Sequence, residues 1–153
     1  MEMFYSYNML WGGNQAKIVI EGYKHDKLVK KVVKEEVRVT HYEIKYSNTE
    51  LVVKDTYDIV KVDIRKLDQN DNLLSYSNDV FTISTEGPLE VIGPKSIALI
   101  GGQISFWCKT TTNFRKEKYK TTDKVEEDEV KAKIIFNSQN NSYEQELLIK
   151  LEK

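Results

Sequence analysis

The feature that most constrains this chain is an alternation of apolar and polar side chains every two residues. It is clearest at residues 57–67, where Val60, Val62 and Ile64 alternate with charged side chains. Successive side chains of a β-strand point to opposite faces, so this period predicts half-buried strands, whereas a helix would repeat roughly every 3.6 residues. The sequence therefore predicts an all-β protein.

Short strands are predicted along the whole chain. Residues 16–23 and 28–39 flank Lys24-His25-Asp26-Lys27 and are predicted to form a β-hairpin. Gly87-Pro88 and Gly101-Gly102 separate later segments. The other predicted strands span residues 42–46, 57–67, 79–84, 89–92, 96–100, 103–109, 130–136 and 143–151. This spacing indicates an immunoglobulin-like antiparallel β-sandwich with additional N-terminal strands.

Composition excludes several classes of protein. The 153 residues suffice for one ordinary domain with some extra structure. A formal net charge of -1 provides no field that would attract nucleic acid or an anionic bilayer, and no stretch approaches the roughly 20 apolar residues of a membrane span. We therefore expect neither a nucleic-acid nor a membrane partner. The N-terminus does not resemble a secretion signal, which together with the single cysteine favours the cytoplasm while leaving the location open.

That cysteine, Cys108, is predicted to be a buried core residue. It shares one face of residues 103–109 with Ile104 and Phe106, while Trp107 falls on the opposite face, where solvent can reach it. A nucleophilic thiol would need an activating base, and this segment contains no histidine.

Residues 113–129 depart from the alternating pattern. They are dense in charged side chains, with Phe114, Tyr119 and Val125 as the large apolar residues. We predict a long solvated loop here. A helix over residues 124–133 is the alternative, although Val125 and Val130 form no convincing apolar stripe.

No catalytic residue is predicted. Adjacent carboxylates occur in Glu35-Glu36 and in Glu126-Glu127-Asp128-Glu129. Neighbouring side chains of a strand diverge and cannot converge on one substrate, so both groups are assigned to the solvated surface. Glu86 and Glu90 flank a turn, and catalysis would require a cleft and a shifted pKa that the sequence does not indicate.

No metal site and no cofactor is predicted. His25 and His41 lie far apart and lack the Cys or His companions that zinc requires. Trp107 and the nine tyrosines are candidates for stacking on sugar rings, but packing is the favoured role of aromatic residues on strands. Trp11, beside Gly12-Gly13, is predicted to pack against a preceding domain or another neighbour.

Several passages between residues 20 and 109 occur in a recognisable order. They are Glu21-Gly22-Tyr23-Lys24-His25-Asp26-Lys27-Leu28-Val29 with Glu36-Val37-Arg38-Val39, then residues 50–55, 59–64 and 68–73, then 78–83 and 86–93. In order and spacing they resemble a hairpin and an immunoglobulin-like domain in the C-terminal region of glycoside hydrolase family 2 enzymes, the β-galactosidase family. Gly93-Pro94-Lys95-Ser96 departs from that family's glycine-rich turn, and nothing specific matches beyond Thr110.

The resemblance implies a role without catalysis. Family 2 enzymes hydrolyse glycosides with two glutamates presented by a TIM barrel. This chain has no βα repeats, so none of the family's catalytic residues can be assigned to a position here, and we expect no activity from the chain alone. The resemblance implies a C-terminal accessory domain that supports the enzyme or makes subunit and domain contacts. The alternative is a free-standing immunoglobulin-like adhesion or carbohydrate-binding module.

We divide the chain at Thr40. Residues 1–40 are predicted to be the terminal strands of a preceding β domain plus a linker, and residues 41–153 to be the sandwich. On its own the first piece would expose apolar residues such as Ile18 and Val37, so we expect it to pack on the sandwich or pair with a second copy. The expected partners are the rest of a parent glycoside hydrolase and, through the N-terminal edge strands, a homo-oligomer.

Overall fold

The computed structural model describes residues 16–54, 56–111 and 129–151. These residues form strands and connecting turns and contain no helix, so none that could cross a membrane. The strands are β1 (Ile18–Lys24), β2 (Lys27–Lys34), β3 (Thr40–Tyr46), β4 (Glu50–Val53), β5 (Ile59–Asp68), β6 (Val80–Glu86), β7 (Leu89–Ile92), β8 (Ser96–Ala98), β9 (Gln103–Thr110), β10 (Glu129–Asn137) and β11 (Ser142–Leu151). The all-β prediction is confirmed.

Two of the sheets make the sandwich. One has five strands in the order β4-β11-β10-β6-β8, and the other has four in the order β3-β5-β9-β7. Strands β4 and β11 pair in parallel, whereas the other paired strands are antiparallel. The predicted immunoglobulin-like sandwich with additional N-terminal strands is therefore confirmed, because β1 and β2 form a separate two-stranded sheet.

The core lies between the two sheets and consists of the alternate residues that the period-two pattern selects. Val60, Val62 and Ile64 of β5 are fully buried from solvent. Phe136 of β10 lies with its ring centre 6.1 Å from the ring centre of Phe106 in the facing sheet. Each such side chain removes a large apolar area from water, which is the main stabilising contribution to a sandwich.

The predicted N-terminal hairpin is present, although its second strand ends at Lys34 and not at residue 39, and its turn explains why it forms. His25 and Asp26 adopt φ angles of 50° and 59°, which is the left-handed pair of a two-residue type I′ turn. That turn twists in the same sense as the strands that it joins, and aspartate tolerates the left-handed region better than most residues. Ile18 remains 63% exposed, so the hairpin does not bury its apolar side chains in the sandwich core.

Two expectations need correction. Strand β4 (Glu50–Val53) is absent from the predicted strands because it has only four residues and pairs in parallel with the distant β11, which local alternation cannot indicate. A helix over residues 124–133 is wrong for its second half, since β10 (Glu129–Asn137) begins there and pairs on both sides. The predicted loop at 113–129 otherwise lies outside the described residues, as does Trp11.

Gly102 occupies a position that only glycine fits. Its φ is +78°, and a Cβ atom there would lie 2.2 Å from the carbonyl oxygen of Leu74, which is backbone and cannot swing away. Gly93 also has a positive φ, of +104°, but a Cβ atom there would have no heavy atom within 4 Å. The two glycines therefore separate the cost of backbone strain from the cost of a steric clash.

We expect Gly102→Ala to lower the free energy of unfolding by about 3 kcal/mol or more, because strain and a backbone clash act together. Gly93→Ala, which adds strain alone, is expected to cost about 1 kcal/mol. Urea unfolding followed by tryptophan fluorescence measures both. Equal losses for the two variants would contradict the clash at Gly102.

Candidate functional site

A polar cleft of about 750 Å³ at one end of the sandwich is the candidate functional site, because several hydrogen-bonding and charged side chains line it. It opens where β3 and β6 begin, where β5 ends, and where a turn joins β10 to β11, so both sheets contribute to it. The residues that line it are Thr40, His41, Tyr42, Lys66, Asn78, Asp79, Val80, Ser138, Gln139, Asn140, Asn141 and Tyr143.

Asp79 is the centre of the hydrogen-bond network in this cleft. Its Oδ2 atom accepts hydrogen bonds from the hydroxyl of Tyr42 and from Nζ of Lys66, the latter at 2.5 Å. Partial burial by itself raises the pKa of Asp79, but hydrogen bonds from Lys66 and Tyr42 and the charge of Lys66 outweigh it and lower that pKa. Asp79 is therefore held as a carboxylate that already has its partners.

Tyr42 connects the cleft to the core. Its ring meets the ring of Phe81 edge to face with centres 5.2 Å apart, and that of Tyr143 with centres 5.8 Å apart. Burial first, and then the hydrogen bond to Asp79, raise the pKa of Tyr42 far above its usual range. The hydroxyl therefore stays protonated and donates to Asp79 at any physiological pH.

Side-chain amides form the rim of the cleft. Those of Asn78, Gln139, Asn140 and Asn141 make no hydrogen bond to another residue in the described ranges. An amide group both donates and accepts hydrogen bonds, and the charges of Lys66 and Asp79 cancel within the cleft. This chemistry suits a neutral ligand with several hydroxyl groups better than an anion or a cation.

The glutamates weighed in the sequence do not meet in a cleft. Glu86 ends β6 and is exposed, while Glu90 on β7 pairs with Lys109 at 2.8 Å on the outer face of the four-stranded sheet. Of residues 126–129 the structure describes Glu129, which lies 3.6 Å from Nζ of Lys150.

Glu35 differs from the prediction of a purely solvated side chain. Its Oε1 atom accepts hydrogen bonds from the side chains of Asn70 at 2.8 Å and Gln69 at 3.3 Å, which lower its pKa. The reason is that the chain leaves the strand after Lys34, so side chains at 35 and 36 no longer follow strand geometry. Glu36 remains exposed, as predicted.

The two histidines have separate structural places. His25 lies in the hairpin turn, and Nε2 of His41 lies 3.3 Å from a carboxylate oxygen of Asp71. Among the described residues, no three His, Cys, Asp or Glu side chains are grouped closely enough to hold a metal ion.

Cys108 and Trp107 occupy the faces predicted for them. Cys108 is fully buried, and burial raises the pKa of its thiol to about 12, so it is not a nucleophile at neutral pH. Trp107 is 40% exposed and lies opposite Lys61 and Ile92 on neighbouring strands.

Sequence reasoning missed the network of Tyr42, Lys66 and Asp79. These residues come from three separate parts of the chain, each with an ordinary polar or aromatic side chain on or beside a strand. The asparagine-rich run at 137–142, which separates the predicted strands 130–136 and 143–151, is the local signal in the sequence that lies near the cleft.

A β-galactosidase of Thermoanaerobacterium thermosulfurigenes is 31% identical over 102 residues, which cover 66% of this chain and 14% of that protein. A β-galactosidase of Rhizobium radiobacter is 29% identical over 104 residues, covering 68% of this chain and 72% of that sequence. The resemblance to the β-galactosidase family is confirmed. No protein-family model matches the chain.

Solved structures agree on the fold. A glycosyl hydrolase family 2 member from Bacteroides cellulosilyticus superposes with a TM-score of 0.63 at 10% identity, over 92% of this chain and 18% of that one. A β-glycosidase from Bacteroides vulgatus gives a TM-score of 0.60 at 14% identity, over 90% of this chain and 18% of that one. The chain thus spans under a fifth of these enzymes, and of the first β-galactosidase it spans 14%.

We expect Asp79→Asn to reduce the loss of unfolding free energy that acid pH causes. Because the folded pKa of Asp79 lies below its unfolded value near 3.8, its contribution is present above that value and is lost as pH falls through the folded pKa. Urea unfolding between about pH 6 and pH 2 should therefore show a shallower acid loss in the variant than in the parent.

Asp71→Asn is the matched control, because it removes a carboxylate whose side chain is 81% exposed. If this control flattened the profile as much as Asp79→Asn, the pairing of Asp79 with Lys66 and Tyr42 would not be the cause.

Proposed function

We propose that this chain is a non-catalytic accessory domain of a family 2 glycoside hydrolase of the β-galactosidase kind, which supports the enzyme or makes contacts between its domains or subunits. The observation that carries the proposal is the small share that the chain covers of three relatives, 14% of one β-galactosidase and 18% of each of two glycosidase structures, whereas it covers 72% of the Rhizobium radiobacter sequence. Residues 1–40 would then be the last strands of a preceding β domain and its linker, and the rest of the parent chain is the partner.

The carboxylates of the described residues support a non-catalytic role. Glycoside hydrolysis uses two carboxyl groups on either side of the scissile bond, about 5–9.5 Å apart. Glu90 is engaged by Lys109, and the carboxylate in the cleft, Asp79, is engaged by Lys66 and Tyr42. Both carboxylates therefore already have partners and do not face each other as an acid and a nucleophile.

The purified chain is expected to hydrolyse a chromogenic β-galactoside no faster than buffer does, because Asp79 is the one carboxylate among the described residues that line the cleft. The assay is run at high protein concentration beside Glu86→Gln and Glu90→Gln. Turnover by the parent chain that either substitution abolishes would overturn the non-catalytic part of the proposal.

The accessory part has its own test. An antibody against the sandwich is expected to detect, in the organism that makes this chain, a polypeptide several times larger than 17.9 kDa that hydrolyses β-galactosides. Deleting the sandwich from that polypeptide should lower its melting temperature or change its oligomeric state. A sandwich found as an independent secreted protein would instead support the adhesion-module alternative.

Carbohydrate binding is a second candidate function, and the amide rim of the cleft favours it. Titration of the ¹⁵N-labelled chain with galactosides is expected to shift the side-chain amide signals of Asn78 and Asn140 if the cleft holds a saccharide. Asn140→Ala should weaken this binding by about fivefold, since one direct hydrogen bond is worth about 1 kcal/mol. Shifts confined to the indole of Trp107 would move the site to the outer face of the four-stranded sheet.

A further inference from the structure

The segment between β2 and β3, residues 35–39, forms hydrogen bonds with a turn of the sandwich, residues 69–72. Gln69 uses both ends of its amide: Nε2 donates to the carbonyl oxygen of Glu36 at 2.7 Å, and Oε1 accepts from the backbone N–H groups of Arg38 at 3.2 Å and Val39 at 3.5 Å. One side chain thus fixes three backbone groups of the connecting segment.

Two further amides extend this contact toward the hairpin. Nδ2 of Asn70 donates to the carboxylate of Glu35 at 2.8 Å, and Nδ2 of Asn72 donates to the carbonyl oxygen of Val33 at 2.7 Å. Val33 is itself a residue of β2, paired with Val19 across the hairpin. The turn therefore reaches from the connecting segment into the hairpin strand.

The turn that makes these contacts is itself rigidly built. Asp68 is 3% exposed, and its carboxylate accepts hydrogen bonds from the backbone N–H groups of Asn70 at 2.8 Å and Asn72 at 2.9 Å, and from Nδ2 of Asn72. Burial raises the pKa of Asp68, but the hydrogen bonds from Asn72 and Asn70 outweigh it and lower that pKa. The buried carboxylate of Asp68 thus attaches the turn 69–72 to the end of β5, an inner strand of its sheet.

Large apolar side chains of the hairpin stay exposed in the described part of the chain. Its strands expose Ile18, Ile20, Tyr23, Leu28 and Val29, and a two-stranded hairpin alone is marginally stable in water. Residues 35–39 connect the hairpin to the sandwich, so the contacts of Gln69, Asn70 and Asn72 with residues 33–39 bear directly on the direction of the hairpin.

We propose that the turn 69–72 is a rigid joint that sets the direction in which the hairpin leaves the sandwich. Neutral amides make most of its bonds, so the joint should be far less sensitive to salt than an ion-pair hinge. Its use to orient a neighbouring β domain, whose sheet the exposed hairpin would extend, rests on the proposed function. The joint itself is a property of this chain alone and can be tested on it.

Spin labels at Lys30→Cys on the hairpin and Lys95→Cys on the sandwich report the distribution of distances between the two in the full chain by pulsed electron resonance. Both positions are exposed, whereas the native Cys108 is fully buried and will not be labelled. A narrow distance distribution is expected for the parent. Gln69→Ala removes contacts made to residues 35–39 alone, and it should roughly double the width. Gln139→Ala, in the turn at the cleft, is the control and should leave the width unchanged.

Trypsin cleavage after Arg38 gives a second readout on the same variants. Loss of the Gln69 bonds should raise this cleavage rate about tenfold, while the melting temperature of the sandwich stays that of the control. A broad distribution in the parent, or an unchanged width and cleavage rate in Gln69→Ala, would overturn the joint. Failure of the accessory-domain proposal would leave these measurements untouched, since they need no parent enzyme.

Discussion

Phe136 lies between the two sheets, with its ring centre 6.1 Å from Phe81 in its own sheet and 6.1 Å from Phe106 in the facing sheet. The rest of the structure depends on the burial of alternate side chains between two stacked sheets. The ring contacts of Phe136 are an example of this burial. The buried cluster between the sheets is apolar in the part of the chain that the structure describes, and the buried hydroxyl of Thr110 at the end of β9 already accepts a hydrogen bond from the backbone N–H of Asp58. Functional groups are therefore confined to the ends and outer faces of the sandwich.

The polar cleft and the turn 69–72 illustrate what such ends can do. In the cleft, Asp79 joins β5, β3 and the start of β6 through Lys66 and Tyr42, and the amides at the rim remain available. In the turn, the carboxylate of Asp68 accepts hydrogen bonds from backbone N–H groups. The side-chain amides of Gln69 and Asn72 donate hydrogen bonds to residues 33–39. Similar side chains thus give a candidate binding surface in one place and an internal connection in the other.

The likeness to family 2 glycoside hydrolases fits this division. A domain whose interior is all packing and whose ends carry hydrogen-bonding groups is well suited to hold neighbours in place. A paired acid and base would have to be built into its loops. Among the described residues the exposed hairpin β1–β2 is a sheet of two strands, and under the proposed function this is where a neighbouring sheet would continue.

Much of the fold followed from local pattern. Alternation alone determined nearly every strand, the buried face of β5 and the inward position of Cys108, because the period of a strand is set by backbone geometry and needs no distant partner. The resemblance to the β-galactosidase family also came from the sequence. Local pattern could not reveal strand β4, whose partner β11 is about a hundred residues away.

The sequence by itself decided the class of the fold, the faces that are buried and the turn chemistry of the hairpin. The tertiary structure alone decided which polar residues meet: Tyr42 with Lys66 and Asp79, and Gln69 with the backbone of residues 36–39. The physical reason is that a side-chain hydrogen bond depends on the positions of a few atoms brought together by the whole packing arrangement. A strand, by contrast, depends on a repeating pattern that each segment carries within itself.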